Sequence, residues 1–192
     1  MKLYIATTSK FKSGILNKVC LKHEMIENDY NEECDLKNPI EYSTFLARQK
    51  ALNAANKVGE GLVLGLDTIV YINGKIVEKP KSKEEAEQNL RDASNNETKI
   101  ITGICLIDTD KDRIITDHQT TKVVMNEISE EDINYYMEND KDYMYVSGYV
   151  VETIASCFIK KIDGSFYNIL GVPTEKIYEM IKKLGYKLSD FE

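Results

Sequence analysis

A buried strand that contains a carboxylate and leads into a hairpin most constrains the fold of this chain. Residues 61–71 read GLVLGLDTIVY, an apolar run typical of a buried strand with Asp67 in its middle. Asn73-Gly74 predicts a tight turn, so residues 75–78 are expected to pair back on that strand before Pro80 ends the pairing. Within such a strand a carboxylate must be paired, protonated or bound to a cation; at the solvent end of the strand it needs no partner.

The other segments predict strands and helices that alternate, with hairpins between some of them. The predicted strands are 2–6, 98–108, 113–125 and a pair at 156–162 and 166–170, with a short one within 23–38. The predicted helices are 10–20, 40–58, 82–93, 129–139 and 173–184, with Ser9, Ser82 and Ser129 as N-terminal caps. This pattern favours an α/β or α+β sheet with helices on both faces, and 192 residues favour one domain, 1–192.

Charge and cysteine content exclude several classes of protein. The formal net charge is −7, from 25 basic and 32 acidic residues, whereas proteins that coat nucleic-acid polymers gather basic charge. The four cysteines lie far apart and the histidines number two, which argues against zinc-finger and thioredoxin-type motifs. No apolar run approaches a membrane span and no secretory signal is visible. We therefore expect a cytoplasmic protein that binds neither a nucleic-acid polymer nor a membrane.

The segment TTSKFK at 7–12 places hydroxyls and lysines where the first strand turns into the first helix. A helix N-terminus offers unpaired amides and a partial positive charge, to which a lysine one turn later adds a full charge. Ser9 and Lys12 are therefore candidates to bind phosphate. The alternative is a capped surface helix with solvated lysines, and the glycines of a P-loop are missing.

A further lysine occurs in the middle of the second predicted helix. Ala47, Lys50, Ala51 and Ala54 share one helical face. Lys50 therefore either points inward over the end of the sheet or extends along the helix surface to water.

Other charged residues complete the candidate site only if several element ends meet. In an antiparallel hairpin, Glu78 and Lys79 come close to Asp67; otherwise they only end a strand. Glu32-Glu33 in the acidic loop is either solvated or a further source of carboxylate. Lysines can hold a polyphosphate and carboxylates can hold Mg²⁺ and deprotonate water. The set therefore predicts metal-assisted hydrolysis of a phosphate ester or anhydride.

The order of these motifs resembles the Maf family of nucleoside triphosphate pyrophosphatases over nearly the whole chain. The similar segments are YIATTSKFK at 4–12, LARQKA at 46–51, LGLDTIVYINGKIVEKP at 64–80, TGICLI at 102–107 and KKIDGSFYNILGVP at 160–173. The resemblance implies an α/β fold with a twisted mixed β-sheet flanked by helices, a Maf/ITPase-like architecture, and often a homodimer. An inosine-triphosphate pyrophosphatase shares the N-terminal corner, but its other motifs have no counterpart here.

The resemblance also implies the reaction and the residues that carry it. Water attacks the α-phosphorus of a nucleoside triphosphate with Mg²⁺ or Mn²⁺, and pyrophosphate and a monophosphate are released. By position, Asp67 is the general base or a metal-linked carboxylate, and Glu33 (or Glu32, since the loop length varies) is a carboxylate on the metal side. The implied triphosphate-binding residues are Lys12, Lys50 and Lys79, with Ser9 and Glu78 beside them.

Three departures from the family pattern affect catalysis and base preference. Phe11 and Lys12 replace an arginine pair, Tyr145 replaces a lysine, and Glu152 replaces a base-reading glutamine. Within the family, Thr68 is typical of members that prefer pyrimidines, whereas an aromatic residue and a glutamate are typical of members that prefer 7-methyl-GTP. We expect a dTTP/UTP-type enzyme of nucleotide house-cleaning. The alternatives are a 7-methyl-GTP-preferring enzyme and a catalytically weak nucleotide-binding regulator of cell division.

Overall fold

The computed structural model describes residues 1–30, 34–140, 142–145 and 149–191. The chain divides into two compact units. The first comprises Met1–Thr68, Ile101–Gln119 and Phe166–Glu192, and the second comprises Ile69–Ile100 and Thr120–Ser165. The expectation of a single domain stays a prediction.

The described strands form one seven-stranded mixed sheet in the order β2-β1-β3-β5-β6-β7, and β4 also pairs with β3. The strands are β1 Leu3–Ala6, β2 Glu24–Ile26, β3 Leu62–Ile72, β4 Lys75–Val77, β5 Glu97–Asp108, β6 Arg113–Met125 and β7 Ile159–Asp163. β1 is parallel to β2 and β3, whereas β4 is antiparallel to β3 and β7 is antiparallel to β6. The α/β class and the mixed sheet are confirmed.

Side chains cap the first turns of four of the six described α-helices. The six are α1 Lys10–Lys18, α2 Pro39–Ala55, α3 Lys83–Ala93, α4 Glu130–Asn139, α5 Phe166–Ile169 and α6 Thr174–Lys183. Ser9, Ser82 and Ser129 each accept a hydrogen bond from an amide in the first turn, as predicted, and Asn38 does so for α2. Each cap satisfies a donor that has no partner within the helix, so these helix starts are fixed locally.

The predicted strand pair at 156–162 and 166–170 is wrong. Ile154–Phe158 forms a 3-10 turn, β7 covers only Ile159–Asp163, and residues 166–169 form the helix α5. β7 pairs with β6 instead, with Ile162 opposite Val123. Because β6 already supplies the partner of β7, the segment after Gly164 is not needed as a strand, and it closes on itself through a hydrogen bond from the Val172 amide to the Tyr167 carbonyl at 3.0 Å.

In the first unit, α2 packs on the sheet through small residues. Ser43, Ala47, Ala51 and Ala54 are each fully buried. Opposite them, a Cβ added at Gly65 of β3 would collide with the Ala47 carbonyl oxygen, and one at Gly103 of β5 would collide with the Ser43 carbonyl oxygen. A glycine within a strand often marks such a close approach of two backbones. Helix and sheet therefore touch backbone to backbone, which fixes the height of every α2 side chain above β3.

Candidate active site

The centre of the candidate site is an ion pair between α2 and β3. Lys50 Nζ lies 2.6 Å from Asp67 Oδ1, and the two side chains are only 14% and 8% exposed. Lys50 therefore points inward over the sheet, and the alternative in which it extends to water is wrong. Asp67 is buried and paired, as an apolar strand requires, rather than solvated at the strand end.

Lys12 of α1 reaches the same stretch of β3. Its Nζ lies 3.4 Å from the Leu66 carbonyl oxygen and 3.5 Å from Thr68 Oγ1. Since successive strand side chains point to opposite faces, Asp67 and Thr68 lie on opposite faces of β3. Lys50 and Lys12 therefore reach consecutive residues of β3 from opposite faces, Lys50 at Asp67 and Lys12 at Thr68. The structure brings both lysines to the strand that contains the buried carboxylate.

The corner before α1 is built as the sequence predicts. Ser9 Oγ accepts from the Lys12 amide at 3.3 Å, and the Ser9 amide donates to Thr7 Oγ1 at 3.1 Å. The cap is thus a hydrogen bond between Ser9, which precedes α1, and Lys12, whose side chain carries the ammonium group. Phe11 is 51% exposed, so its ring is available for contact with a ligand.

Three of the predicted site residues belong to the second unit. Glu78 and Lys79 are exposed and follow β4 directly, beyond the last pair in the register, Val70 with Val77. Glu152 is also exposed. The roles predicted for these three residues stay predictions.

The segment that carries Glu152 is anchored to α4. Thr153 Oγ1 donates to Asp140, and the Val150 amide donates to Tyr136 Oη at 2.8 Å. Burial is the main cause that raises the pKa of Tyr136, so the phenol stays neutral and serves as an acceptor. The backbone is thus held in place on both sides of Glu152, at residues 150 and 153.

The predicted metal-side carboxylate Glu33, its alternative Glu32 and the side chain of Tyr145 lie outside the described part of the structure. Within residues 1–30, 34–140, 142–145 and 149–191, no three His, Cys, Asp or Glu side chains cluster in a way that could hold a metal ion. Of the two carboxylates predicted on the metal side, Asp67 and Glu33, the described residues therefore include Asp67.

Sequence reasoning missed residues that shape the site without bearing charge. Thr102 of β5 is fully buried, and its Oγ1 lies 3.1 Å from Thr68 Oγ1. Gly65 and Gly103 admit α2, and Gly171 lies against both Lys12 and Thr68. The signal was present, because glycine or threonine inside an otherwise apolar strand marks a close backbone approach or a hydrogen bond.

Among the described helices, none is both long and apolar enough to cross a membrane. The four cysteines are free, and only Cys105 is fully buried.

The chain is similar to proteins of known family over nearly its whole length. Residues 2–184 match the model of a family described as Maf-like protein. A protein named dTTP/UTP pyrophosphatase from Carboxydothermus hydrogenoformans is 31% identical over 186 residues, 97% of this chain and 100% of that protein. A protein of the same name from Ruminiclostridium cellulolyticum is 34% identical over 188 residues, 97% of each chain. A third from Clostridium perfringens is 32% identical over 185 residues, 95% of this chain and 96% of that protein.

Among solved structures, the Ham1 protein of Staphylococcus aureus matches with a TM-score of 0.46 and 17% identity, over 65% of this chain and 72% of that chain.

Proposed function

This chain belongs to the Maf-like family, as its motifs predicted, and from that membership we propose that it is a nucleoside triphosphate pyrophosphatase. It hydrolyses the α–β phosphoanhydride of dTTP and UTP to the monophosphate and pyrophosphate, and so clears unwanted nucleotides from the pool. The observation that carries the proposal is the buried Lys50–Asp67 pair, 2.6 Å apart, on a strand that the Lys12 ammonium group also contacts. The relatives named dTTP/UTP pyrophosphatase support the substrate class.

In this reaction, Asp67 is the general base. Lys50 holds Oδ1 of the carboxylate and fixes its orientation, which is how a positioned base gains efficiency. The attacking water gives its proton to Asp67 as its oxygen bonds to the α-phosphorus. Pyrophosphate leaves with the electrons of the broken P–O bond. Lys12 supplies positive charge that binds the phosphates in the substrate and in the transition state alike, and Lys50 adds a preorganised positive charge at the base.

The same carboxylate fits a divalent cation. Mg²⁺ is usually bound through one or two carboxylates together with the phosphates of the substrate, and Asp67 supplies one such carboxylate. We propose Mg²⁺ or Mn²⁺, with Glu33 as the second carboxylate on the strength of the family resemblance. The ion would neutralise phosphate charge.

The base preference is proposed from three positions. Thr68 beside Lys12 favours the pyrimidine type, whereas an aromatic residue such as the exposed Phe11 and a glutamate such as the exposed Glu152 are typical of members that prefer 7-methyl-GTP. We assign dTTP and UTP because the matched relatives carry that name. Activity on 7-methyl-GTP is the competing outcome, favoured by those two residues.

The test is pyrophosphate release from dTTP, UTP, CTP, GTP, 7-methyl-GTP and ITP with Mg²⁺ or Mn²⁺, with EDTA as the control. Asp67→Asn is expected to abolish release and to retain nucleotide binding. The matched control is Asp117→Asn, which removes another lysine-paired aspartate of the first unit, 3.5 Å from Lys183, and is expected to keep full turnover.

Each outcome of this panel has a definite reading. Unchanged turnover in Asp67→Asn removes that residue from the chemistry. Nucleotide binding without release of pyrophosphate from any substrate supports a regulator in place of an enzyme.

We also propose a cytoplasmic location and a homodimer. A reducing cytoplasm suits the free cysteines, and light scattering checks the homodimer.

A further inference from the structure

We propose that Thr102 and Gly171 are positioning residues for Lys12, which they act on through Thr68; this inference rests on the proposed function. Neither residue carries charge. Both contact Thr68 on the side of β3 where Lys12 lies, and all four residues belong to the first unit.

Three polar groups surround the hydroxyl of Thr68. Its Oγ1 lies 3.5 Å from Lys12 Nζ, 3.5 Å from the Gly171 carbonyl oxygen and 3.1 Å from Thr102 Oγ1. An ammonium group only donates and a carbonyl oxygen only accepts, so Thr68 accepts from Lys12 and can donate to Gly171. Either hydroxyl of the Thr68–Thr102 pair can be the donor, and in both cases this shortest of the three contacts fixes Thr68 Oγ1 within reach of Lys12.

Thr102 is suited to this role because it is fully buried. A buried hydroxyl without a partner is costly, so the bond to Thr68 holds both side chains in one rotamer. Thr68 itself is only partly buried and would otherwise rotate.

Gly171 closes the arrangement from the other side. It has a φ of +77°, and an added Cβ would lie 2.9 Å from Thr68 Oγ1 and 3.2 Å from Lys12 Cε. The missing side chain therefore leaves the space that the lysine stem occupies. Gly171 therefore affects Lys12 in two ways. Its missing side chain leaves room for the lysine stem, and its carbonyl oxygen contacts Thr68, which in turn contacts the lysine.

The chain needs such positioning because of its own departure from the family pattern. An arginine would present a rigid planar fork, whereas the lysine at 12 is a point charge on a flexible stem. Its contacts with the Leu66 carbonyl oxygen and Thr68 Oγ1 are long, at 3.4 and 3.5 Å, and phosphate oxygens can replace them. The pre-set position lowers the entropy lost when the triphosphate binds.

The experiment measures kcat and KM for UTP hydrolysis in Thr102→Val, Thr102→Ser and Thr98→Val. Thr98 is a fully buried threonine on the same face of β5, so its valine variant is the matched control. We expect Thr102→Val to raise KM about tenfold with kcat nearly unchanged, because Lys12 binds substrate and transition state alike. Thr102→Ser, which keeps the donor, is expected to restore KM, and Thr98→Val to leave it unchanged.

A second pair of variants tests the loop. Gly171→Ala is expected to raise KM in the same way, whereas Gly185→Ala, with φ +88° and open space around it, reports the cost of backbone strain alone. A purely structural role would lower the melting temperature and kcat, with KM unchanged. That pattern, or a KM equal to wild type in Thr102→Val, would overturn the proposal.

Failure of the proposed function is recognised separately. If wild type releases no pyrophosphate, the proposed function fails, and the positioning is tested without substrate by ¹³C NMR of the lysine Cε groups, with Lys12→Arg to assign the signal. Thr102→Val should shift the Lys12 resonance, and Thr98→Val should not. An unmoved Lys12 signal in Thr102→Val refutes the inference.

Discussion

The Lys50–Asp67 pair makes a quantitative prediction about stability. At 2.6 Å and an effective dielectric constant of about 20, the attraction is about 6 kcal/mol before the cost of desolvation is subtracted. Lys50→Met leaves the buried Asp67 carboxylate without this ammonium partner, so we expect a loss of about 3–5 kcal/mol in the free energy of unfolding. The double variant Lys50→Met/Asp67→Leu removes both charges and should lie within about 1 kcal/mol of wild type.

The assay is urea unfolding at neutral pH in EDTA, followed by far-UV circular dichroism and tyrosine fluorescence, since the chain has 12 Tyr and no Trp. The control cycle uses the exposed pair Lys57–Asp29 of the first unit, 2.8 Å apart, for which we expect a much smaller coupling. If the two single variants of the buried pair add to within about 0.5 kcal/mol of the double variant, the pair is not coupled and our account of the site is refuted.

Three more predictions concern packing, acid stability and base preference. Gly65→Ala should cost on the order of 3 kcal/mol by pushing α2 off the sheet, whereas Gly59→Ala, with open space around it, should cost far less in the same urea assay. Burial acts to raise the pKa of Asp108, but hydrogen bonds from Arg113 and Tyr186 outweigh it, so the net pKa in the folded state is lowered. The carboxylate therefore stabilises the fold at neutral pH and loses this effect as the pH falls below about 4, and Asp108→Asn should flatten that part of the acid-unfolding curve. Glu152→Gln should move the ranking of substrates toward pyrimidines, and an unchanged ranking would place Glu152 outside the base site.

Local signals were sufficient to predict most of the secondary structure. β3 and β5 are long, mostly apolar runs bounded by turns, and the serine-capped helices begin where a hydroxyl can serve free amides. The segment 156–170 failed because its pairing is decided elsewhere. Whether residues 166–169 form a strand or a helix depends on which strand pairs with β6. That pairing is decided by tertiary structure and not by the local sequence.

The candidate site was predictable in residue type but not in geometry. Asp67 stood out as a charge in an apolar strand, and the helical period placed Lys50 on the face with the small residues. What decided between an inward and a solvated Lys50 was how closely α2 approaches the sheet, and that follows from Gly65 on β3 and Gly103 on β5. Thr102 escaped notice because its importance lies in one hydrogen bond to Thr68, which only the pairing of β5 with β3 brings within reach.

The contact of α2 with the sheet also decides which parts of the molecule can adapt to a ligand. A helix that rests on the sheet through backbone atoms cannot roll or slide without a collision at Gly65 or Gly103. Lys50 is therefore a fixed charge that a nucleotide must approach in one orientation. The entropy of ordering its side chain is lost when the chain folds and not when the nucleotide binds. Changes of substrate preference should accordingly arise in exposed residues outside α2, such as Phe11 in the first turn of α1 and Glu152, while the inner face of α2 stays confined to small side chains.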